Sequence, residues 1–326
     1  MRALTLIGWL FGVALFAGLV LRSGAAPALD MVARLGWWLL LILLFHLAPL
    51  YLDVRAWRCV FPKPRPSAAK LLVIRWLGEG ANSLLPIPYL GEALRARLAG
   101  TLEQDGVAAG AAVMVDITIG LLTLVPFASL GLLLLALRHE ANAEIVIILL
   151  PLILCGVALF LLQRTGLLAR LLRLARRIAG PEHAAGRWSF VPRFDLALKS
   201  AYTPRPALLR ACLWHLTGWI VGAGEIWLAL ALLGEPAGVG DSLILESLSQ
   251  AARTVAFAIP GGLGVQDGAL ILLAAQLGLG AEIGLGLSLV KRCRELALGI
   301  PALAVGGIEL ARGRRTDAAD AMKRVP

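Results

Sequence analysis

Two segments broken by proline and glycine interrupt the long apolar stretches of this chain. Residues 82–92 read NSLLPIPYLGE, and residues 257–267 read FAIPGGLGVQD. Hydrocarbon cannot hydrogen-bond the backbone groups that Pro and Gly release from a helix, so broken backbone at membrane depth must be buried in protein or line a wet cavity. Interrupted apolar segments in the two halves of a chain point to a transport site between them.

The composition is that of a polytopic membrane protein. Of 326 residues, 59% are hydrophobic and 16% are charged, whereas about 25% of a soluble protein is charged. The net charge of +10 comes from 31 Lys and Arg against 21 Asp and Glu. The basic residues lie mainly in loops beside apolar runs, so contact with anionic lipid headgroups explains them better than nucleic acid does.

The apolar runs predict an all-α fold with about six full transmembrane helices, at residues 3–21, 35–52, 107–137, 145–162, 207–233 and 283–310. The loop after the second run is rich in Arg and Lys, as is the tail, residues 312–326. Because cytoplasmic loops are enriched in basic residues, both termini are expected in the cytoplasm.

The two broken segments are interpreted as re-entrant hairpins. Residues 76–98 have basic residues at both ends and are expected to enter from the cytoplasm; a complete crossing is the competing interpretation. Residues 242–279 form the second hairpin, entering from outside. Opposite entry predicts an inverted repeat within one membrane domain, 1–326, with halves at 1–163 and 207–311.

The halves are joined by a basic segment, residues 164–206. Its first part places leucines on one helical face and arginines on the other, which predicts an interfacial helix followed by a polar linker. A helical extension of the preceding span is the alternative.

Ionisable residues inside a membrane cost about 2.5–3.5 kcal/mol each on insertion scales, so they usually face a cavity and pair with one another. The candidate substrate-binding residues are Glu79, Asn82, Glu92, Arg95, Asp116, Glu225, Glu246, Arg253, Asp267 and Arg294, together with Pro86, Gly91, Pro260, Gly261 and Gly264 at the breaks.

Spacing suggests two groupings among them. Glu92 and Arg95 share a helical face, either as a structural ion pair or as part of the site. Arg253, Asp267 and Arg294 would leave positive charge beside the glycine-rich turn, which suits an anionic headgroup. In the alternative, Glu246 or Glu295 neutralises that charge.

No cofactor, metal or catalytic residue is predicted. The four histidines show no metal-ligand spacing, which favours structural or surface roles. The chain has no Walker loop, HExxH or GxSxG motif, so ATP-driven transport by this chain alone is not expected.

The broken segments resemble the flippase-like membrane region of lysylphosphatidylglycerol synthases. The resemblance rests on Asn82, Pro86, Gly91, Glu92 and Arg95, then on residues 260–267 and Arg294, and covers most of the chain. Residues 246–253 and 291–295 are most similar to the branch associated with hopanoid biosynthesis. The family usually carries Glu where this chain has Asp267.

This resemblance implies a bacterial inner-membrane protein that handles hopanoid or anionic phospholipid beside lipid-biosynthesis proteins. Since aminoacyl transfer in that family belongs to a soluble C-terminal domain, this chain is not expected to be an enzyme. The expected function is lipid movement between leaflets. The alternatives are an intramembrane transferase with Glu92 or Asp267 as general base, and a scaffold that docks enzymes through residues 164–210.

Overall fold

The computed structural model describes residues 2–23, 25–85, 87, 89–103, 105–138, 190–235, 237–256 and 259–322, and a few single residues between 154 and 174. Pro86, most of the predicted span 145–162 and most of the basic segment 164–189 lie outside the described residues. The interfacial helix and the scaffold hypothesis built on it therefore stay predictions.

All regular secondary structure in the ranges just given is helical, and no strand occurs in them, which confirms the all-α prediction. The helices are α1 (Arg2–Ser23), α2 (Ala25–Leu35), α3 (Trp38–Phe45), α4 (Leu47–Cys59), α5 (Ala68–Leu84), α6 (Leu90–Glu103), α7 (Gly106–Ala136), α8 (Val191–Ala201), α9 (Arg205–Leu233), α10 (Val239–Val255), α11 (Val265–Gln276) and α12 (Ala281–Met322), with a short 3₁₀ turn at Pro260–Gly262.

Three stretches of the described chain are long and apolar enough to cross a bilayer: Trp38–Cys59, Gly106–Ala136 and Arg205–Leu233. They overlap three of the six predicted spans, at 35–52, 107–137 and 207–233. Helix α1 contains a shorter apolar stretch, Leu10–Arg22. Helix α12 covers the last predicted span but carries four charged residues in its middle. The layout of six spans stays a prediction.

Both broken segments form helix–break–helix hairpins. In the first hairpin α5 and α6 pack against each other. A Cβ on Gly91 would collide with the Gly78 carbonyl and the Asn82 side chain, so the arms touch where only glycine fits. In the second hairpin α10 packs on α11, and the turn between them uses positive φ angles at Gly261 and Gly264, which favour glycine.

The break of the second hairpin lies against the first. A Cβ on Gly261 would lie 3.6 Å from the Ser83 carbonyl oxygen, near the end of α5. Helix α12 packs along α5, where the Trp76 indole N–H donates to the Leu298 carbonyl at 2.9 Å. Both breaks and the last helix therefore meet in one place.

The open ends of the two hairpins lie at opposite ends of α7. Gly100 of α6 packs against Gly106 at the start of α7, whereas Arg138, just after α7, pairs with Asp241 at the start of α10. With 31 residues at about 1.5 Å each, α7 is about 46 Å long. That length exceeds the roughly 30 Å hydrocarbon core of a bilayer.

Candidate functional site

A polar cavity of about 220 Å³ lies between the two hairpins and helices α4, α9 and α12. Eight of the sequence-predicted residues line it: Glu79, Asn82, Glu92, Arg95, Glu225, Glu246, Arg253 and Arg294. Further polar groups in its wall are His46, Asp53, Arg75, Gln250, Gln266 and Lys291. The sequence therefore predicted about half of the polar lining.

One side of the cavity is held by an aspartate–histidine cluster, which comprises Asp53, Arg75, Arg95, Asp116 and His215. The ring of His215 bridges two carboxylates, with Nδ1 3.0 Å from Asp53 and Nε2 2.9 Å from Asp116. Arg75 donates to Asp53 at 2.7 Å, and Arg95 donates to Asp116 at 2.5 Å. Since these residues come from α4, α5, α6, α7 and α9, the cluster ties five helices together.

The expected pair of Glu92 and Arg95 does not form. The Arg95 guanidinium turns to Asp116 and stacks 4.2 Å from the Trp57 ring centroid. Glu92 instead accepts a hydrogen bond from the Asn82 amide at 2.8 Å, and the Asn82 oxygen accepts from the Gly91 N–H at 2.7 Å. Spacing allowed the Glu92–Arg95 contact, but Arg95 pairs instead with the buried Asp116 carboxylate, which helix α7 places beside it.

Glu92 retains free hydrogen-bonding capacity at the cavity. Its Oε2 atom is buried and has no hydrogen-bond partner among the described residues. A buried carboxylate oxygen without a partner carries a desolvation cost. A ligand with a donor group would remove that cost.

A glutamate–histidine cluster, comprising His46, Glu79, Glu225 and Arg294, forms another side. The His46 ring lies 3.0 Å from Glu225 through Nδ1 and 3.0 Å from Glu79 through Nε2. Arg294 donates to Glu225 and also lies 3.0 Å from His46 Nδ1. The neutral ring can accept from Arg294, whereas the protonated ring donates to both carboxylates.

The third set is a glycine-turn cluster, which comprises Arg253, Asp267, Arg292 and Glu295. Arg292 binds Asp267 through two nitrogens, at 3.1 and 2.9 Å. Asp267 also accepts from the Ser288 hydroxyl and, at 2.7 Å, from the Gly264 N–H. Arg253 and Arg292 both pair with Glu295, at 2.9 and 2.7 Å.

The predicted grouping of Arg253, Asp267 and Arg294 is therefore wrong. Residues 292 and 294 are two positions apart on a helix, about 200° around the axis, so they face different neighbours. Arg292 faces α11 and Asp267, whereas Arg294 faces α9 and Glu225. The turn carries no surplus positive charge, because Glu295 neutralises Arg253, and the freed Gly264 N–H binds Asp267.

The remaining predicted residues have other positions. Glu246 pairs with Lys291 at 2.5 Å. Asp116 lies behind Arg95, outside the cavity wall, and Asp267 caps the start of α11. Gly91 is at the contact between hairpin arms, and Pro260, Gly261 and Gly264 form the turn.

Among the described residues, the cavity and the ion pairs that extend from it contain eight carboxylates, six Lys or Arg and two His. These are Asp53, Glu79, Glu92, Asp116, Glu225, Glu246, Asp267 and Glu295, then Arg75, Arg95, Arg253, Lys291, Arg292 and Arg294, then His46 and His215. With every carboxylate ionised, the set is neutral when both imidazoles are protonated to the cationic form, and each imidazolium that becomes neutral leaves one negative charge.

Sequence reasoning missed both histidines because it tested them only for metal-ligand spacing. A polar residue within an apolar span was the available signal, and His46 and His215 both meet that criterion. Arg75 was also identifiable, because Arg75, Glu79 and Asn82 follow the i, i+4, i+7 spacing of one helical face.

Fold and site together define a helical membrane-embedded protein whose charged interior is built between two broken hairpins. Residues 9–302 match the family model of the lysylphosphatidylglycerol synthase TM region, and the chain belongs to that family. The resemblance drawn from the sequence is thereby confirmed at the level of the family, which indicates a lipid-related membrane protein. Comparison with curated proteins and with solved structures gives no significant match.

Proposed function

We propose that this protein moves an amphiphilic lipid, a hopanoid or an anionic phospholipid, between the leaflets of a bacterial inner membrane, without chemical change. The observation that carries the proposal is the charged cavity at the meeting point of the two breaks. Its volume of about 220 Å³ is below the roughly 300–1,000 Å³ of sites for drug-sized ligands. It suits a headgroup whose tails stay in the bilayer.

The charges in the wall suit a polar headgroup with both acceptors and donors. Arg253 and Arg294 would face a phosphate, and the free Oε2 of Glu92 would accept from a hydroxyl or amine. Removing one partner of a buried ion pair costs about 3–5 kcal/mol. A charged headgroup that takes the place of the removed partner avoids most of that cost. The ion pairs in the wall could therefore open to bind a headgroup and close again after its release.

Opposite entry of the hairpins supplies the route to both leaflets. Their open ends lie at the two ends of α7, so rocking of one half against the other would expose the cavity to each side in turn. In this orientation the start of α7 and both termini are cytoplasmic, as the basic loops indicate.

The experiment is leaflet exchange of labelled phosphatidylglycerol and of a labelled hopanoid in reconstituted vesicles. Glu92→Gln is expected to slow exchange about tenfold, because the headgroup loses a hydrogen bond to a charged carboxylate. Such a bond contributes about 1.5–3 kcal/mol, and about 1.4 kcal/mol corresponds to a factor of ten. Glu103→Gln is the matched control, because Glu103 lies on the same helix outside the cavity wall. Equal rates for wild type and Glu92→Gln would refute the role of the cavity.

The unpartnered oxygen of Glu92 also favours a second candidate, an intramembrane transferase with Glu92 as general base. Asp267 is a poor candidate for that role, because Arg292, Ser288 and the Gly264 N–H already occupy its oxygens. Incubation of the purified protein with labelled lipid, followed by mass spectrometry, separates the two functions. A new lipid species that Glu92→Gln fails to make would establish the transferase.

A further inference from the structure

A second recess, separate from the cavity, lies where α4 ends and α9 begins. One compartment of about 200 Å³ is lined by Arg55, Arg58, Arg65 and Arg210 with Cys59 and Trp214. It adjoins a compartment of about 430 Å³, and Cys59, Arg65 and Arg210 belong to both. Among the described residues, none that lines this recess also lines the cavity between the hairpins.

The four guanidinium groups are oriented by neutral partners. Arg58 donates to the Pro66 carbonyl at 2.7 Å, Arg65 to the Cys59 carbonyl at 3.1 Å, and Arg210 to the Pro206 carbonyl at 3.1 Å. The Arg55 guanidinium lies 4.7 Å from the centre of the Trp214 ring.

Within the described ranges, no carboxylate lines either compartment or forms an ion pair with these four arginines. The buried Nε atom of Arg65 has no hydrogen-bond partner there. Each guanidinium has five N–H donors, so most of them stay available to a phosphate.

The larger compartment is mainly apolar. Val60, Phe61, Ala108, Ala197, Ala201 and Ala207 contribute to its wall, and Lys63 lies at it. A soluble anion would gain nothing from such a surface, whereas an acyl chain would bury apolar area there. The combination of an arginine compartment and an apolar one fits an amphiphile.

The position of the recess agrees with an occupant from the bilayer. It lies at the ends of two candidate spans, Trp38–Cys59 and Arg205–Leu233, beside the start of the third. Trp214 and the exposed Tyr51 lie one turn further in, and aromatic residues are enriched at the headgroup level of membranes. Anionic lipids of the cytoplasmic leaflet attract basic clusters at this depth.

We propose that this recess binds one anionic phospholipid of the surrounding leaflet, with the phosphate among Arg55, Arg58, Arg65 and Arg210 and an acyl chain in the apolar compartment. The site is independent of the cavity and of lipid movement through it. The bound lipid would tie the end of α4 to the start of α9.

The test is lipid retention by the full-length protein, purified from nanodiscs of phosphatidylcholine with 1,2-dioleoyl phosphatidylglycerol as the minor lipid and measured by native mass spectrometry. Arg65→Gln/Arg210→Gln is expected to lower phosphatidylglycerol retention about tenfold, because charge-assisted bonds to the phosphate are lost. Lys70→Gln/Arg97→Gln is the matched control, since it removes two exposed basic side chains that line neither compartment.

Arg65→Lys/Arg210→Lys keeps the charge and is expected to retain more phosphatidylglycerol than the Gln variant. Equal loss in the Lys and Gln variants, with a lowered melting temperature in both, would assign these arginines a purely structural role and overturn the proposal. Equal loss in the Gln variant and the control would overturn it too, because the effect would then be general surface charge. Retention of phosphatidylglycerol by the wild-type protein no greater than its share of the nanodisc lipid would contradict the assignment to an anionic phospholipid.

Discussion

At the scale of single residues, the positions of buried charges were predictable and their partners were not. An acid or base within an apolar run is visible in sequence, which is how Asp116, Glu225 and Arg294 were found. Whether Arg292 or Arg294 meets Asp267 depends on how α12 is rotated against α9 and α11, and that rotation is decided by packing between distant segments. Asp267 reaches Arg292 directly, so the shorter Asp side chain suffices at this position.

The pair of Asp267 and Arg292 yields a stability prediction. Asp267→Asn leaves the Arg292 charge without its bidentate partner, and we expect a loss of about 3–5 kcal/mol of unfolding free energy. Asp30→Asn is the control, because Asp30 and Arg34 form an exposed pair that contributes about 0.3–0.5 kcal/mol. Thermal melting in detergent measures both, and equal melting temperatures of the two variants would contradict the assigned role of Asp267.

Histidine 215 yields a prediction about coupling. His215→Leu removes the imidazole that contacts both Asp53 and Asp116, so it is expected to lower the free energy of unfolding. Adding Asp53→Asn to this variant should lower the free energy of unfolding by less than Asp53→Asn does in the wild-type protein. A double-mutant cycle measures the difference, expected at about 0.5–3 kcal/mol for residues in one network. Additive effects would show that the two side chains do not interact.

At the scale of elements, the breaks were located correctly, whereas the arms of the first hairpin were predicted too short. The first hairpin was expected at residues 76–98, but α5 begins at Ala68 and α6 ends at Glu103. The additional turns, 68–75 and 99–103, contain Lys70, Arg75 and Glu103, and the prediction ended before these charged residues because it followed apolar character. Proline and glycine mark a break by local chemistry, whereas the full length of a helix depends on what its polar ends contact.

The close contact between the hairpin arms at Gly91 predicts that one added methyl group there destabilises the fold. Gly91→Ala would place a Cβ into the Gly78 carbonyl and Asn82, so we expect a lower melting temperature and weaker retention of lipid in the cavity. Gly18→Ala is the control, because a Cβ on Gly18 would have no neighbour within 4 Å. Comparable melting temperatures for both variants would mean that the hairpin arms do not pack as described.

At the scale of the whole molecule, the inverted repeat stays a prediction, and it requires the two hairpins to open to opposite sides of the membrane. Single cysteines at Leu102 and Val239, introduced after replacement of the four native cysteines, report the open ends of the first and second hairpin; both positions are exposed. A membrane-impermeant maleimide should label Leu102→Cys from the cytoplasm and Val239→Cys from outside. Labelling of both from one side would contradict opposite entry.

Family membership and the all-α class could be predicted from the sequence, because the apolar composition and the two broken segments indicate a chain surrounded by lipid. The cavity did not follow, because it depends on the packing of α12 on α5 and of α9 on α4, and the helices of each pair are far apart in sequence. The central claim is that this cavity carries lipid headgroups between leaflets. Leaflet exchange of labelled phosphatidylglycerol and hopanoid, with wild-type and protein-free vesicles side by side, tests it most directly. The account predicts faster exchange of at least one lipid with the wild-type protein, and exchange no faster than in protein-free vesicles for both lipids would contradict it.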